Sequence, residues 1–332
     1  MSDSQSGPSN TSLPLEIMLY TYNRAELLAN TLEQLAASPF RDCPVTLLDN
    51  HSTDATPAVC ERFKHRFPHL RVIRHPKNIG GDANYLRAVE LSQGEYTWPM
   101  CDDDTYDFSA VADVIEALRQ RKFDLISVGV EGHNLPAGYQ GSARDLAMAH
   151  PFFICHSFIP SMIFRTALFD SAVLRRAYNN LDTLFPQLAW LSEAVERNIS
   201  VYVSRQKVIR KGVNMSYSSL YFLTSWIKCC RRIREPRMAR RASAEIFKGK
   251  ALTISLVFAI LTEKAFRPKR FWKEYRELCA EALLFRFTVA LKVLIFLPLA
   301  LCPKPVHRWL WRRYKTYREK RGMTLPNFDE ER

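Results

Sequence analysis

Short apolar segments alternate with helical segments over residues 15–128, and this alternation constrains the fold more than any other feature of the sequence. The helical segments carry apolar residues at helical spacing, as in Leu28, Leu32 and Leu35. Strand–helix repeats with short connections are typical of a mostly parallel sheet covered by helices on both faces. The sequence therefore predicts an α/β fold whose first strands occupy residues 15–20, 45–48, 71–74, 96–101 and 125–128.

Polar clusters follow three of the predicted strands, each at the carboxyl end of its strand. Residues 20–23 close the first strand, Asp49 closes the second, and three consecutive aspartates at residues 102–104 follow the fourth. In an open parallel sheet these ends gather along one edge, where α/β proteins bind their ligands. The three clusters are therefore predicted to lie in one binding site.

The acidic triplet Asp102-Asp103-Asp104 points to a cation. Adjacent carboxylates repel one another, and a folded site tolerates them best when a positive charge offsets the repulsion. Hard divalent cations prefer oxygen ligands and share their coordination shell with phosphates, so the position suits a metal-bound diphosphate. The alternative is a solvated acidic turn that caps the next helix. The polar clusters after the other strands favour the ligand site.

Charge is distributed unevenly along the chain of 332 residues. Residues 1–215 contain 21 Lys and Arg against 24 Asp and Glu, whereas residues 216–332 contain 26 against 10. A basic segment of this kind is typical of proteins that bind nucleic acid or an anionic membrane surface. We predict a disordered N-terminus over residues 1–13, an α/β domain over residues 14–215 and a basic helical region over residues 216–332.

The cysteines and the N-terminus indicate the compartment. Eight cysteines form no CxxC pair, which favours reduced, mostly structural thiols in a protein of this size. Residues 1–14 are polar and lack the apolar segment of a signal peptide. We therefore expect the protein to stay in the cytoplasm.

Four motifs together resemble the family 2 glycosyltransferases, which are inverting enzymes with a GT-A fold. The resemblance covers residues 14–215. Its motifs are Tyr20-Thr21-Tyr22-Asn23-Arg24, Leu48-Asp49-Asn50-His51-Ser52-Thr53-Asp54, Asn78-Ile79-Gly80-Gly81-Asp82-Ala83-Asn84, and Gly94-Glu95-Tyr96 leading into Asp102-Asp103-Asp104. The match is strong because all four occur in this order and spacing. A looser match over residues 161–178 is similar to the branch that builds bacterial surface polysaccharides.

The resemblance implies a donor site for a nucleoside diphosphate sugar. It makes Asp49 the acceptor of a hydrogen bond from the base and places Thr21 and Tyr22 in the base pocket. The positions that match donor-nucleotide residues of the family are Thr21, Tyr22, Asn23, Asp49, Asn78, Asn84, Asp102 and Asp103. The family pattern carries Arg before the Asn at the last motif, whereas Ala83 stands here, which puts a phosphate contact there in doubt.

The resemblance also implies a divalent metal, Mn²⁺ or Mg²⁺, held by the acidic triplet. Asp102 and Asp104 are the predicted metal ligands, although one sequence leaves the register among three identical residues open. A bound divalent cation stabilises a departing diphosphate as a Lewis acid. The cofactor expected from this sequence is therefore a divalent metal ion.

An inverting displacement also needs a base that takes the proton of the attacking hydroxyl. Asp182 is the predicted base because it lies between two predicted helices in the second half of the domain, with capping of the 184–196 helix as the alternative. Weaker candidates for the base are the carboxylates of Glu193, Asp145 and Glu131. His150 and His156 are candidates to face an acceptor, with a structural role favoured. Residues 131–150 are predicted to form a mobile loop over the site.

The pattern of the basic C-terminal region predicts helices, with an apolar helix over residues 251–261 and an apolar stretch over residues 287–302. Lys292 and Pro298 interrupt that stretch, so we expect an interfacial helix rather than a span. Aromatic and basic residues alternate over residues 308–321, a composition suited to lipid headgroups. A solvated basic helix is the alternative, and no RNA-binding motif accompanies the pattern.

These observations predict a metal-dependent inverting glycosyltransferase that moves one sugar to a lipid-linked saccharide acceptor in cell-surface polysaccharide synthesis. The expected location is peripheral or monotopic, at the cytoplasmic face of the inner membrane, with no nucleic acid partner. A nucleotidyltransferase is disfavoured because residues 20–23 lack the glycines of a phosphate loop. A non-catalytic membrane-peripheral assembly protein is disfavoured by the intact triplet and by Asp49.

Overall fold

The computed structural model describes residues 13–212, 217–247, 256–257 and 267–319. The chain divides into two compact units. The first holds the described residues up to Tyr178 together with Glu193–Gly212, and the second holds Asn179–Ser192 together with the described residues from Tyr217 onward. The N-terminal residues 1–12 and the predicted domain boundary at residues 215–216 lie outside the described ranges.

In the described part of the chain, nine strands form a single mixed sheet. The strands are β1 (Leu15–Thr21), β2 (Val45–Asp49), β3 (Leu70–Arg74), β4 (Tyr96–Cys101), β5 (Thr105–Tyr106), β6 (Leu125–Val130), β7 (Gln140–Ser142), β8 (Met162–Arg165) and β9 (Ser200–Arg210). The α-helices that precede β9 are α1 (Ala25–Ala36), α2 (Thr56–Phe63), α3 (Gly81–Leu91), α4 (Ala112–Gln120), α5 (Ala143–Ala149), α6 (Phe152–His156), α7 (Ser171–Tyr178) and α8 (Gln187–Glu196).

The strand order is β3-β2-β1-β4-β8-β6-β9-β5, with β7 paired to β9. β3, β2, β1 and β4 run parallel to one another, which confirms the predicted α/β alternation. After β1 the chain adds β2 and β3 on one side and then crosses back to add β4 on the other. The strand order therefore reverses between β1 and β4, and open α/β sheets bind ligands at the carboxyl ends of such a pair.

Helices cover both faces of the parallel strands. Ile17 and Leu47 point into the main core, where they are fully buried together with Leu32 of α1. Met18 and Leu48, one residue further along their strands, pack with Ala88 of α3 in a smaller cluster. Because neighbouring residues of a strand point to opposite faces, strands that are apolar at every position need a cover on each side.

The predicted mobile loop over residues 131–150 is wrong in its second half, which forms β7 and α5. β7 pairs antiparallel with β9. The Ser142 hydroxyl then accepts a hydrogen bond from the Asp145 backbone N–H at 3.1 Å and caps the first turn of α5. Capping satisfies a backbone donor that the helix leaves unpaired, so a polar segment of this composition starts a helix.

The described part of the second unit beyond Tyr217 is helical, as predicted. Its helices are α9 (Ser219–Arg232), α10 (Pro236–Phe247), α11 (Pro268–Phe285), α12 (Phe287–Leu294), α13 (Leu297–Leu301) and α14 (Lys304–Glu319). The Trp226 indole N–H donates to the Ala242 carbonyl at 3.0 Å and joins α9 to α10. None of the described helices is both long and apolar enough to cross a membrane.

Two predicted apolar segments have different outcomes in the second unit. The helix expected over residues 251–261 lies largely outside the described residues; Leu256 and Val257 are helical there. The stretch over residues 287–302 forms two short helices, α12 and α13, with Pro298 in the first turn of α13. Proline fits a first helical turn because it lacks the backbone N–H that is left unpaired at that position.

Candidate functional site

The site lies where β1 and β4 end side by side. Tyr20 of β1 pairs in register with Cys101 of β4, so Thr21 and Asp102 follow at the same edge of the sheet. On the other side of β1, Thr21 is in register with Asp49 of β2. The three predicted polar clusters therefore meet at the carboxyl edge of the sheet, as the alternation of strands and helices indicated.

The first two aspartates of the triplet share one guanidinium group. Arg24 Nη1 lies 2.9 Å from Asp102 Oδ1 and 2.9 Å from Asp103 Oδ2. The Thr31 hydroxyl of α1 donates to the backbone carbonyl of Asp102 at 3.0 Å and fixes the main chain there. One positive charge thus offsets part of the repulsion among three carboxylates.

The third aspartate contacts the end of β9. The Gly212 backbone N–H donates to Asp104 Oδ1 at 2.8 Å. A Cβ atom at Gly212 would lie 2.2 Å from the Asp103 carbonyl oxygen, so only glycine permits this approach. The preceding Lys211 carries its ammonium group 4.7 Å from the centre of the Phe158 ring. The chain after β9 therefore forms one wall of the acidic site.

Burial sets the protonation behaviour of these carboxyl groups. It raises the pKa of Asp104 to about 6, and the Gly212 N–H opposes this rise while the charges of Asp103 and Asp102 add to it. Burial likewise raises the pKa of Asp102, against the opposing effects of the Thr21 side chain and of the Arg24 charge. A raised carboxyl pKa means that the ionised form is costly in the metal-free site.

The donor atoms at the triplet fit a divalent cation. Ligand atoms of Cys101, Asp103 and Asp104 lie within 4.8 Å of one another. Asp104 Oδ2 is buried and has no hydrogen-bond partner in the described part of the chain. Carboxylate oxygens suit Mg²⁺ and Mn²⁺, whereas burial keeps the pKa of the Cys101 thiol well above its usual range and leaves the sulfur a poor ligand.

Asp49 presents one unsatisfied oxygen at the same edge. The residue is 1% exposed, and its Oδ1 accepts from the Ser52 backbone N–H at 2.8 Å. Its Oδ2 accepts no hydrogen bond from the described residues, although it forms an ion pair with Arg74, whose Nε lies 3.5 Å away. A buried carboxylate oxygen without a partner is costly unless a ligand donates to it.

The loop after β1 is tied to the loop after β2. Asn23 has a φ of 51°, and its side-chain oxygen accepts from the Thr53 backbone N–H at 2.8 Å. The Ser52 hydroxyl accepts from the Asn23 backbone N–H at 2.9 Å. Thr21 is buried beneath this loop, whereas Tyr22 is 41% exposed. Asn23 therefore shapes the loop, and Tyr22 is accessible at its surface.

The segment that precedes α3 is held by amide side chains. Asn50 Nδ2 donates to Asn78 Oδ1 at 2.9 Å, and Asn50 Oδ1 accepts from the Ile79 N–H at 2.9 Å. Gly80 has a φ of 87°, which glycine adopts without strain. Asn84 is buried, and its Oδ1 lies 2.9 Å from His75 Nε2. In this structure Asn84 therefore supports the fold beneath the segment.

The predicted base, Asp182, belongs to the second unit and forms an ion pair. Arg232 contacts both of its oxygens, with Nη1–Oδ1 at 2.7 Å and Nη2–Oδ2 at 2.8 Å. Lys228 Nζ lies 3.9 Å from Oδ2. Hydrogen bonding from Arg232 lowers the pKa of Asp182, which keeps it ionised and reduces its strength as a base.

The weaker candidates have structural contacts. Glu131 pairs with Arg210, Glu193 with Arg176 and Arg197, and Asp145 with the capping hydroxyl of Ser142. His156 is fully buried, with Nε2 2.9 Å from the Ser127 hydroxyl and Nδ1 2.8 Å from the Phe152 carbonyl. His156 is therefore a core residue, and His150 ends α5 as its C-cap.

Sequence reasoning missed three contributors to the site. Arg24 belongs to one of the four motifs but had no predicted role, and its position one residue after Asn23 was a signal that could have been used. Cys101 and Gly212 gave no signal of their own. Gly212 lies 108 residues from Asp104 in the chain, so only the sheet brings them together.

Known proteins resemble this chain in sequence over limited stretches. An abequosyltransferase of Salmonella typhimurium is 35% identical over 88 residues, which is 25% of this chain and 26% of that protein. A glycosyltransferase of Streptococcus pneumoniae is 21% identical over 113 residues, or 34% of this chain and 37% of that protein. The chain thus spans between about a quarter and two fifths of the length of these two relatives.

Solved structures resemble it over nearly the whole chain. TarS of S. aureus (residues 1–349), in complex with UDP-GlcNAc, gives a TM-score of 0.59 at 17% identity and covers 95% of this chain and 93% of that one. A mannosyltransferase of Pyrobaculum calidifontis, in complex with GDP-Man and Mn²⁺, gives 0.51 at 15% identity, with coverage of 93% and 85%. These likenesses confirm the predicted GT-A type of α/β fold.

The family match agrees with the fold. The family described as glycosyl transferase family 2 matches residues 16–181, which is half of the chain. That range includes the crevice between β1 and β4, the Asp49 loop and the acidic triplet. The chain belongs to glycosyl transferase family 2.

Proposed function

We propose that the protein transfers one sugar from a nucleoside diphosphate sugar to an acceptor hydroxyl in polysaccharide synthesis. The observation that carries this proposal is a pair of buried carboxylate oxygens at one edge of the sheet, Asp49 Oδ2 and Asp104 Oδ2, which accept no hydrogen bond from the described residues. Native proteins rarely leave such atoms unsatisfied, so their presence supports a ligand that supplies donors or positive charge. A sugar nucleotide with its metal offers both.

Different residues of the site contact different parts of the donor in this proposal. Asp49 accepts from the base, while Thr21 and Tyr22 line the base pocket and Asn23 shapes it. Asn78 belongs to the segment along the sugar nucleotide, and Asn84 supports that segment through His75. Asp103 and Asp104 would hold Mn²⁺ or Mg²⁺, which when bound would offset the charge of the leaving diphosphate. Asp102, fixed by Arg24 and Thr31, keeps the triplet in place.

These contacts support one register of metal ligands inside the triplet. Asp102 and Asp104 were the ligands expected from the sequence, and the geometry favours Asp103 with Asp104 because their ligand atoms lie close together. Asp102 is 2% exposed and pairs with Arg24, which supports a positioning role.

Asp182 is our candidate for the base that takes the acceptor proton. Arg232 keeps the carboxylate in the form that accepts a proton but weakens it as a base, so the proposal rests on the position of Asp182 between two helices of the sequence. A base role predicts that Asp182→Asn lowers turnover roughly a hundredfold or more, while Arg232→Gln retains most of it. Equal losses in both variants would assign the pair a structural role instead.

We further propose that the acceptor is lipid-linked and that the protein acts at the cytoplasmic face of the inner membrane. The support is the basic character of residues 216–332, with 26 Lys and Arg against 10 Asp and Glu. Basic segments attract anionic lipids, at about 1 kcal/mol per Lys or Arg close to the surface. A membrane location brings the donor site close to lipid-linked saccharides.

A donor screen tests the transfer reaction. Purified protein is incubated with UDP-, GDP-, dTDP- and CDP-sugars and a membrane lipid extract, with Mn²⁺, with Mg²⁺ or with EDTA, and released nucleoside diphosphate is measured. We expect release with one donor class and a divalent metal. Release of pyrophosphate from a sugar phosphate and a nucleoside triphosphate would indicate nucleotidyl transfer instead. No release under any condition would count against the proposal.

An Asp49→Asn variant sharpens the screen. Its amide replaces the unpartnered oxygen with a donor, so we expect the donor KM to rise roughly tenfold or more, since hydrogen bonds to charged groups carry that range of free energy. The matched control is Asp42→Asn, an exposed aspartate before β2. Unchanged donor KM in Asp49→Asn, at unchanged stability, would remove Asp49 from the base pocket.

A further inference from the structure

Large apolar side chains are exposed along one side of the second unit. Leu284 at the end of α11 is 67% exposed, and Phe287, Leu291 and Ile295 in and just after α12 are 67%, 50% and 73% exposed. We call these four residues the apolar face. Single exposed apolar residues are ordinary, but four large ones within twelve residues of the chain suit an interaction surface.

The apolar face follows helical geometry. Phe287, Leu291 and Ile295 are spaced four residues apart, which aligns them on one side of α12. The opposite side of the same helix carries Val289 and Val293, which are 6% and 0% exposed in the core of the unit. α12 is therefore apolar on both sides, and only one side is covered by described residues.

A basic helix follows the apolar face. α14 carries exposed Arg308, Arg312, Arg313 and Lys315. Trp309 of this helix is 57% exposed, and the Arg313 guanidinium lies 5.5 Å from the centre of its ring. Tryptophan and arginine together are typical of the headgroup layer, where the ring enters the interface and the charge stays in water.

We propose that the apolar face inserts into one leaflet of an anionic membrane while α14 lies among the headgroups. This deepens the proposed membrane location by naming the surface and the kind of contact, and it rests on that proposal. Segments that combine an apolar side facing lipid with nearby basic residues lie in the interface plane. The insertion is monotopic because α12 and α13 hold eight and five residues.

Charge decides between lipid and a second copy of the chain as the occupant. Residues 216–332 carry 26 Lys and Arg against 10 Asp and Glu, so two copies joined through this region would bring like charges together. An anionic leaflet instead supplies opposite charge to the same residues. Complementarity therefore favours the lipid surface.

Vesicle sedimentation of the full-length protein tests the inference. Vesicles of phosphatidylcholine with about 30% phosphatidylglycerol are compared with pure phosphatidylcholine, at low salt and at high salt. We expect binding to the anionic vesicles that high salt weakens without abolishing, because inserted apolar side chains are not screened by ions. Complete release by salt would leave electrostatic adsorption alone and overturn the insertion.

The variant Leu291→Glu/Ile295→Glu tests the face itself. Placing two carboxylates where apolar side chains enter the leaflet is expected to weaken vesicle binding at least tenfold, since each buried large apolar side chain contributes about that factor. Met148→Glu is the matched control, because Met148 is 51% exposed in the first unit. Equal binding by wild type and the double variant, with unchanged circular dichroism and thermal unfolding, would refute the proposal.

Two further readouts separate this inference from the proposed function. Light scattering without vesicles reports whether the double variant changes the oligomeric state; a wild-type dimer that the variant converts to a monomer, with no vesicle binding by either, would make the face a self-association surface. Nucleoside diphosphate release in the donor screen reports catalysis alone. Turnover by a wild-type protein that binds no vesicles would overturn the membrane inference and leave the transferase proposal intact.

Discussion

At the residue scale, the buried carboxylates of the site lower the stability of the folded protein. Asp104 is 7% exposed, its Oδ2 has no hydrogen-bond partner among the described residues, and two further carboxylates adjoin it. Burial and these neighbouring charges raise its pKa to about 6. The folded metal-free protein therefore binds a proton at Asp104 more tightly than the unfolded chain does. Stability from this group is present at low pH and falls as pH rises from about 4 to about 6.

The Asp104→Asn variant tests that cost. Its side-chain oxygen can keep the hydrogen bond from Gly212 while the charge is lost. We expect the metal-free variant to be more stable than wild type at pH 7 by about 1 to 3 kcal/mol. Urea unfolding at pH 7 and pH 4 measures the gain, which should shrink at the lower pH.

The same variant is expected to bind Mn²⁺ roughly tenfold more weakly or worse, because it loses a charged oxygen ligand. Titration calorimetry measures this, with Asp42→Asn as the control. A variant that is less stable at pH 7, or that binds Mn²⁺ as wild type does, contradicts the assignment of Asp104.

At the element scale, the end of β9 reaches the triplet only because one residue has no side chain. Gly212 donates to Asp104, and a Cβ atom there would overlap the Asp103 carbonyl at 2.2 Å. Gly81, at the start of α3, has open space within 4 Å of the point where a Cβ atom would stand, and its backbone is outside the positive-φ region. Gly212 is therefore required by a close backbone contact, whereas Gly81 has room for a side chain.

We expect Gly212→Ala to move the end of β9 away from the triplet and to weaken Mn²⁺ binding as well as thermal stability. Gly81→Ala should be neutral or slightly stabilising, because alanine favours a helix over glycine by up to about 1 kcal/mol. Thermal unfolding and Mn²⁺ titration of both variants measure the contrast. Equal behaviour of the two variants would mean that the β9 end is free to adjust.

At the scale of the whole molecule, a buried histidine in the first unit makes the free energy of unfolding depend on pH. His156 is 0% exposed, and burial lowers its pKa to about 4. The unfolded chain takes up a proton near pH 6.5, while the folded protein resists until about pH 4. Stability from this group is therefore full above pH 6.5 and is lost as pH falls toward 4.

We expect the free energy of unfolding to lose about 2 kcal/mol from this group between pH 7.5 and pH 5. Comparing the pH dependence of unfolding in wild type and His156→Gln isolates the loss, and His65→Gln, an exposed histidine, is the control. Should His156→Gln not fold, a histidine NMR titration of the wild type gives the same information. A His156 ring that titrates near pH 6.5 contradicts the prediction.

Local patterns were enough to predict the strands and helices of the α/β part and the meeting of its polar clusters at one sheet edge. Apolar spacing in residues 25–36 and the short apolar strands act over a few residues, so periodicity is visible without the fold. The triplet and Asp49 were recognisable because polar residues just after strands gather at one sheet edge. The polar segment over residues 131–150 was misleading because β7 depends on pairing with β9, some 60 residues later.

What the sequence determined by itself was therefore the α/β alternation, the helical C-terminal region and the acidic residues available to a ligand. Only the tertiary structure decided which oxygens of the triplet are paired with Arg24 and which have no hydrogen-bond partner among the described residues. The same is true of the contact between Gly212 and Asp104 and of the ion pair between Asp182 and Arg232. It also decided which side of α12 is exposed. The physical reason is distance along the chain. Periodicity and composition act between neighbours, whereas these contacts join residues 50 or more positions apart, or depend on which neighbours cover a surface.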